Sequence, residues 1–216
     1  MFSDRLDAGQ RLASALLEYR GKDLVILAIP RGGVVVAHEV AKKLGAPLDI
    51  VIPRKIRAPG QPELAIGAVT QDGTTLLNTE IIRYLHVSEG YLQEEIQIQI
   101  DEINRRMRKY RGNRQAAVLN GKTVILIDDG IATGATVRAA IRSIRKQNPT
   151  SIVVAVPVGP RDTIEKMKKE ADEVVCLDTP EPFFAIGQFY QRFDQTSDEE
   201  VIRLLEDNED RGFSLC

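Results

Sequence analysis

Cysteine and histidine are scarce, and their scarcity removes several classes of protein. The 216 residues hold two cysteines, Cys176 and Cys216, too few for a disulfide framework and consistent with a reducing, cytoplasmic setting. The two histidines, His38 and His86, have no metal-ligand spacing around them, so a histidine-built metal centre is not expected. No apolar run approaches the roughly 20 residues of a membrane span. Met1-Phe-Ser-Asp4 does not read as the start of a secretion signal. Neither sign of charge dominates: the net charge is -2 and the pI about 5.8, which gives no reason to expect nucleic acid as a partner. Repeats and low-complexity tracts are absent. So are two common phosphate motifs, since Ala135 stands where a GxxxxGKS/T loop would place lysine and GxGxxG occurs nowhere. What remains is 43% hydrophobic and 28% charged, the composition of one globular domain spanning 1–216.

The chain is organised around Val124-Ile-Leu-Ile-Asp-Asp-Gly-Ile-Ala-Thr-Gly-Ala-Thr-Val137. Its apolar, β-branched start suits a strand buried on both faces. Asp128 and Asp129 end that strand, and Gly130, Thr133, Gly134 and Thr136 lead into a helical run from Val137 to Ile144. A helix N-terminus offers unpaired N–H groups and partial positive charge to a phosphate. Glycines let the backbone approach closely and threonine hydroxyls add donors. Two carboxylates repel a phosphate, so they must serve another part of the ligand. A vicinal diol, which donates hydrogen bonds to carboxylates, is the natural partner.

This stretch resembles the phosphoribosyl pyrophosphate (PRPP) signature of the type I phosphoribosyltransferases: apolar strand, two acids, then a short Thr-Gly-x-Thr loop. The resemblance covers roughly residues 20 to 195. It implies an α/β, doubly wound, mainly parallel sheet flanked by helices, with a helical insertion at 78–114 and a C-terminal hood at 178–195. It also implies that Asp128 and Asp129 hold the ribose hydroxyls and Mg2+, directly or through water. Gly130, Ile131, Ala132, Thr133, Gly134, Ala135 and Thr136 would then cradle the 5-phosphate.

Along the chain, Asp4 to Tyr19 reads as an amphipathic helix with Leu6, Leu12, Leu16 and Leu17 on its apolar face and Ser3 as N-cap. Leu24 to Ile29 is a strand, and Pro30-Arg31-Gly32-Gly33 opens a second helix, Val34 to Leu44. In a parallel sheet both strand-glycine-helix junctions lie at the carboxyl edge, where ligands bind. By the resemblance, Arg31, Gly32 and Gly33 take the pyrophosphate. A strand from Leu48 to Ile52 precedes Pro53 to Glu63, whose three prolines and one glycine predict neither helix nor central strand. Arg54, Lys55 and Arg57 fall there. In the family an Arg-Lys pair at this place leads into a flexible loop that closes over PRPP, and fixed cations would neutralise departing pyrophosphate. Leu64 to Val69 and Thr74 to Leu77 flank Gln71-Asp72-Gly73, a hairpin signal.

Ser88 caps a long predicted helix with Leu92, Ile96, Ile100, Ile103, Met107 and Tyr110 as its stripe. Its end is basic (Arg105, Arg106, Arg108, Lys109, Arg111, Arg114), which a helix C-terminus favours as a solvated face. This insertion is expected either to cover the site or to build a homodimer contact. A strand, Ser151 to Val158, a helix, Arg161 to Ala171, and a strand, Glu173 to Leu177, continue the alternation. Five of the eleven Phe and Tyr residues then crowd into 179–193, where the family builds a hood over its acceptor base. A flat heterocycle could stack on Phe183, Phe184 or Tyr190, although rings packing the hood onto the sheet would give the same pattern. A closing helix runs from Ser197 to Leu205.

The implied activity is transfer of the phosphoribosyl group from Mg-PRPP to a nitrogen nucleophile, a nucleobase-like small molecule, with release of pyrophosphate. One departure narrows it. Hypoxanthine-guanine members carry an aspartate base just before the Thr-Gly pair, and here Ala132 stands there. Two alternatives stay open: a non-catalytic PRPP sensor on the same fold, and a ribose-phosphate hydrolase, for which no base stands out.

Overall fold

A computed structural model describes residues 1–212; Cys216 lies outside the described residues. Eight strands form in chain order: β1 (Leu24–Ala28), β2 (Leu48–Ile50), β3 (Arg54–Ala58), β4 (Gln61–Val69), β5 (Thr75–Leu77), β6 (Thr123–Ile127), β7 (Ser151–Val158) and β8 (Glu173–Asp178). The helices are α1 (Arg5–Ala15), α2 (Gly32–Leu44), α3 (Thr79–Tyr84), α4 (Glu89–Arg111), α5 (Ala135–Arg145), α6 (Arg161–Met167) and α7 (Asp198–Asp210). Five strands pair in parallel in the order β2-β1-β6-β7-β8, and β3-β4-β5 make a separate antiparallel sheet.

The parallel sheet is buried on both faces, as its unbroken apolar runs require. Ile26, Ala28, Ile125, Ile127, Val153 and Ala155 face one core with side chains of α1, α2 and α7. Val25, Leu27, Val124, Leu126, Ile152 and Val154 face the other, with Val137, Ile141 and Ile144 of α5 and Ile164 and Met167 of α6. This period-2 division fixes strand register, because a one-residue slip would exchange the two faces. The chain turns opposite ways after β1 and β6, so the crevice beyond their carboxyl ends is the topological switch point.

Several elements differ from expectation. Asp4, not Ser3, caps α1, its side chain accepting from the Asp7 N–H. Leu6 and Leu17 are exposed, and Ala8, Gly9, Leu12 and Ala13 form the buried face. Small residues win there because α1 lies close on α2: a Cβ on Gly9 would come 2.8 Å from the Val36 carbonyl oxygen. The segment from Pro53 to Glu63 is a β-hairpin rather than an unstructured loop. Its prolines escape the ladder, since Pro53 precedes β3, Pro59 sits in the turn and Pro62 has no paired partner. Gly60, at φ +69°, turns the chain, and β3 is an edge strand. The Asp-Gly hairpin between β4 and β5 forms as read. Ser88 caps α4 as expected, but Glu95 and Gln99 are buried in its stripe while Ile96 and Ile100 are half-buried. The predicted helix from Arg161 ends at Met167 rather than Ala171.

Candidate functional site

Pairing of Ala28 with Ile127 brings the two strand-glycine-helix junctions side by side. They interlock. A Cβ on Gly32 would collide with Asp129 Oδ2, and one on Gly33 would stand 3.0 Å from Asp128 Oδ1. Only glycine lets the turn after β1 lie against the acids after β6. The peptide between Pro30 and Arg31 is cis. Neither α2 nor α5 has a side-chain cap at its N-terminus, and the cap position of α5 is Gly134, at φ +76°. Thr133 therefore does not cap that helix; its side chain and that of Ala132 are exposed. Ile131 is a correction to the phosphate cradle. Its side chain is in the core and its N–H donates to the Val158 carbonyl at 2.9 Å, so it supports the loop from beneath.

The acids differ. Asp128 Oδ1 accepts from the Asp129 N–H at 2.8 Å. Though half-buried by surface, its carboxyl is surrounded by protein, and that burial, followed by the charge of Asp129, pushes its pKa well above the usual carboxylate range. Asp129 Oδ2 accepts from Arg5 Nε at 2.7 Å, and its backbone carbonyl accepts from the Tyr190 hydroxyl at 2.6 Å. No group of three or more His, Cys, Asp or Glu side chains gathers among the described residues. Two adjacent carboxylates could give one or two ligands to a hard ion such as Mg2+, which completes its shell with water and substrate oxygens. With one guanidinium for two carboxylates, the pair keeps oxygen donors of the kind such an ion takes.

A cleft of about 420 Å³ opens beside these junctions, lined by Pro30, Thr136, Pro53, Arg54, Lys55, Arg57, Glu63 and Arg106. Arg54 is held at 2.6 Å by Gln99 Oε1, and Gln99 is in turn held by Glu95 Oε1 at 2.8 Å. Burial lowers the Arg54 pKa, though an arginine stays charged. Lys55 and Arg57 point into solvent, and neither forms an ion pair among the described residues. Arg106, which the sequence pattern assigns to a solvated basic face, reaches the cleft instead and is steadied by Glu102 at 2.7 Å. Arg31 is not among the lining residues. Its guanidinium lies 3.6 Å from Asp198 in the first turn of α7, so the backbone of 31–33, not that side chain, borders the junction. A larger hollow of about 800 Å³ between the end of α4 and α7 lacks both the acid pair and the glycine junctions. The smaller cleft adjoins the two junctions through Pro30 and Thr136.

The hood gives a mixed result for stacking. Tyr190 is buried between Phe2, at 5.4 Å between ring centroids, and Phe193, at 5.0 Å, so no ligand can lie on it. Phe183 packs on Phe189 at 4.9 Å, whereas Phe184 is 84% exposed and available. Phe2 and Tyr190 form a β-bridge, which ties the start of the chain to the hood. Arg5 carried no sequence signal, and the places of Tyr190 as a hydrogen-bond donor and of Arg106 at the cleft differ from the roles their patterns suggested.

Comparison with known proteins agrees with this geometry. Residues 3–191 match the family model described as the phosphoribosyl transferase domain. A Mycobacterium tuberculosis (strain H37Rv) protein, Rv0571c, provisionally named a phosphoribosyl transferase, is 46% identical over 206 residues. The match takes in 95% of this chain but 46% of that one, so the chain spans about half the length of this curated relative. The hypoxanthine/guanine phosphoribosyltransferase of Methanohalophilus mahii is 25% identical over 167 residues, covering 77% of this chain and 68% of its own. Among solved structures, TT1426 from Thermus thermophilus is 43% identical, with a TM-score of 0.80 over 95% of this chain and 98% of that one. With the switch-point acids, the interlocked glycine turns and these matches together, the chain belongs to the phosphoribosyl transferase family.

Proposed function

We propose that the protein transfers the 5-phosphoribosyl group of PRPP to a nitrogen nucleophile, a nucleobase-like heterocycle, and releases pyrophosphate. The observation that carries this reading is the interlocking of the two junctions, with Asp128 and Asp129 against Gly32 and Gly33 and with uncapped helix N-termini at both. One ligand carrying a phosphate, a diol and a second phosphate group satisfies all of these at once.

In this reading the turn from Gly130 to Thr136 holds the 5-phosphate through the N-terminus of α5, with the threonine hydroxyls as added donors. Asp128 and Asp129 accept the ribose hydroxyls and would hold Mg2+, which when bound would supply positive charge against the substrate's negative charge. The backbone at Arg31, Gly32 and Gly33 receives pyrophosphate, and Arg54, Lys55, Arg57 and Arg106 face its departing charge. Because the reaction passes through an oxocarbenium-like state, positioning and charge account for most of the task. Phe184, beside the half-buried Phe183, offers the acceptor a ring face. Ala132 supplies no base for proton removal, which argues against hypoxanthine and guanine as acceptors.

A regulator that sensed PRPP and bound nucleic acid would use the basic end of α4. Most of that charge is internally neutralised: Arg105 and Arg106 pair with Glu102, Lys109 with Asp198, and Arg111 with Asp49. The deciding experiment measures pyrophosphate release from Mg-PRPP with a panel of purine and pyrimidine bases. Release dependent on one base establishes the transferase and names the acceptor; tight PRPP binding without release under any base would return the sensor.

A further inference from the structure

Arg5 belongs to no motif, yet it sits at the acid pair. Its Nε donates to Asp129 Oδ2 at 2.7 Å, its Nη1 donates to the Asp194 carbonyl at 2.6 Å, and its guanidinium carbon lies 3.8 Å from the centre of the Phe193 ring. The other side is closed by the turn at Gly32, where a Cβ would come 2.5 Å from Nε. Both side chains of the pair are largely buried, 12% exposed for Arg5 and 13% for Asp129. A guanidinium fixed by a carboxylate, a carbonyl, an aromatic face and a glycine turn has one orientation, and it imposes one on the carboxylate it holds. Apart from the neighbouring Asp128 carboxyl, no side chain or backbone N–H of the described residues donates to Asp129 Oδ1.

Resting on the reading of this site as a ribose site, we propose that Arg5 is a positioning residue that sets Asp129 for recognition of a sugar hydroxyl. It occupies Oδ2, aims Oδ1 at the diol and makes the site selective for the hydroxylated sugar. A lysine cannot reproduce this, because its ammonium lacks the planar fork that bonds Asp129 and Asp194 while stacking on Phe193.

The test is calorimetric binding of ribose 5-phosphate, its 2-deoxy and 3-deoxy analogues and inorganic phosphate, to the full chain and to Arg5→Met. The wild type should bind ribose 5-phosphate at least about tenfold more tightly than one of the deoxy analogues, the scale of a charged hydrogen bond. In Arg5→Met that discrimination should shrink to about twofold or less while inorganic phosphate binds as before. Arg5→Met with undiminished discrimination overturns the proposal. Because removing the cation leaves a buried carboxylate alone, Arg5→Lys serves where the methionine variant does not fold. It should keep the fold and lose discrimination, and wild-type selectivity in a folded Arg5→Lys equally overturns the proposal. Failure of the wild type to bind ribose 5-phosphate or to discriminate at all refutes the ribose site itself, a distinct outcome.

Discussion

At the residue scale, the proposed site is built on contacts too short to accept a substitution. Gly32→Ala drives a methyl into Asp129 Oδ2, so either the turn or the carboxylate must move. We expect a loss of about 1–3 kcal/mol in stability, the usual cost of overpacking, together with most of the activity; urea titration and pyrophosphate release measure the two. Asp129→Asn keeps the shape but removes the charge. It should lower turnover by roughly 10²-fold or more with circular dichroism unchanged, and a folded variant with full activity would defeat the assigned role. Both acids and both glycine turns were legible in the sequence because each is local: a strand end, a turn and a helix start lie within a dozen residues. Arg5 was not. It meets Asp129 across 124 positions of sequence, and nothing in an amphipathic N-terminal helix marks one arginine out from its neighbours.

At the scale of elements, α4 props up the β3–β4 arm. Gln99 and Glu95, one turn apart and facing inward, hold the side chain of Arg54 and the backbone of Arg57. Gln99→Ala should therefore weaken pyrophosphate binding indirectly, and Arg106→Ala directly, the latter by roughly tenfold as a charged contact is lost. Calorimetry at two ionic strengths tells the two apart, since the loss in Arg106→Ala is that of a charge and should shrink as salt rises, whereas the loss in Gln99→Ala should change little. The existence of α4 was readable from its cap and its period. Its role was not, because a buried Glu and Gln on the apolar stripe look like register noise until β3 is seen beside them. The arm was read as neither helix nor central strand; β3, at the sheet edge, fits that reading, while β4 enters the middle of its sheet from Gln61. Only the pairing shows that each proline falls where the ladder asks nothing of it.

At the scale of the whole molecule, α7 is secured by charge as well as by Val201 and Leu205. Asp198 accepts from Lys109 and Tyr110, and these bonds hold its pKa down to about 2. In the unfolded chain an aspartate titrates near 3.9. The folded state therefore binds this proton less readily, so the contribution is full above about pH 4 and disappears as pH falls toward 2. Asp198→Asn should lower the melting temperature at neutral pH yet flatten its fall between pH 5 and pH 2; parallel slopes in the two proteins would refute this linkage. The parallel order of the sheet followed from strand-helix alternation, whereas the tie between the ends did not, being a meeting of Phe2 with Tyr190. That tie has a meaning for biosynthesis. A ribosome would release all five parallel strands once Asp178 had cleared its tunnel, and the sheet could pack then. Tyr190, Phe193 and Asp194, which close on Phe2 and Arg5, follow the last of those strands, so in vectorial synthesis the sheet and Asp129 would precede the contacts that fix Arg5.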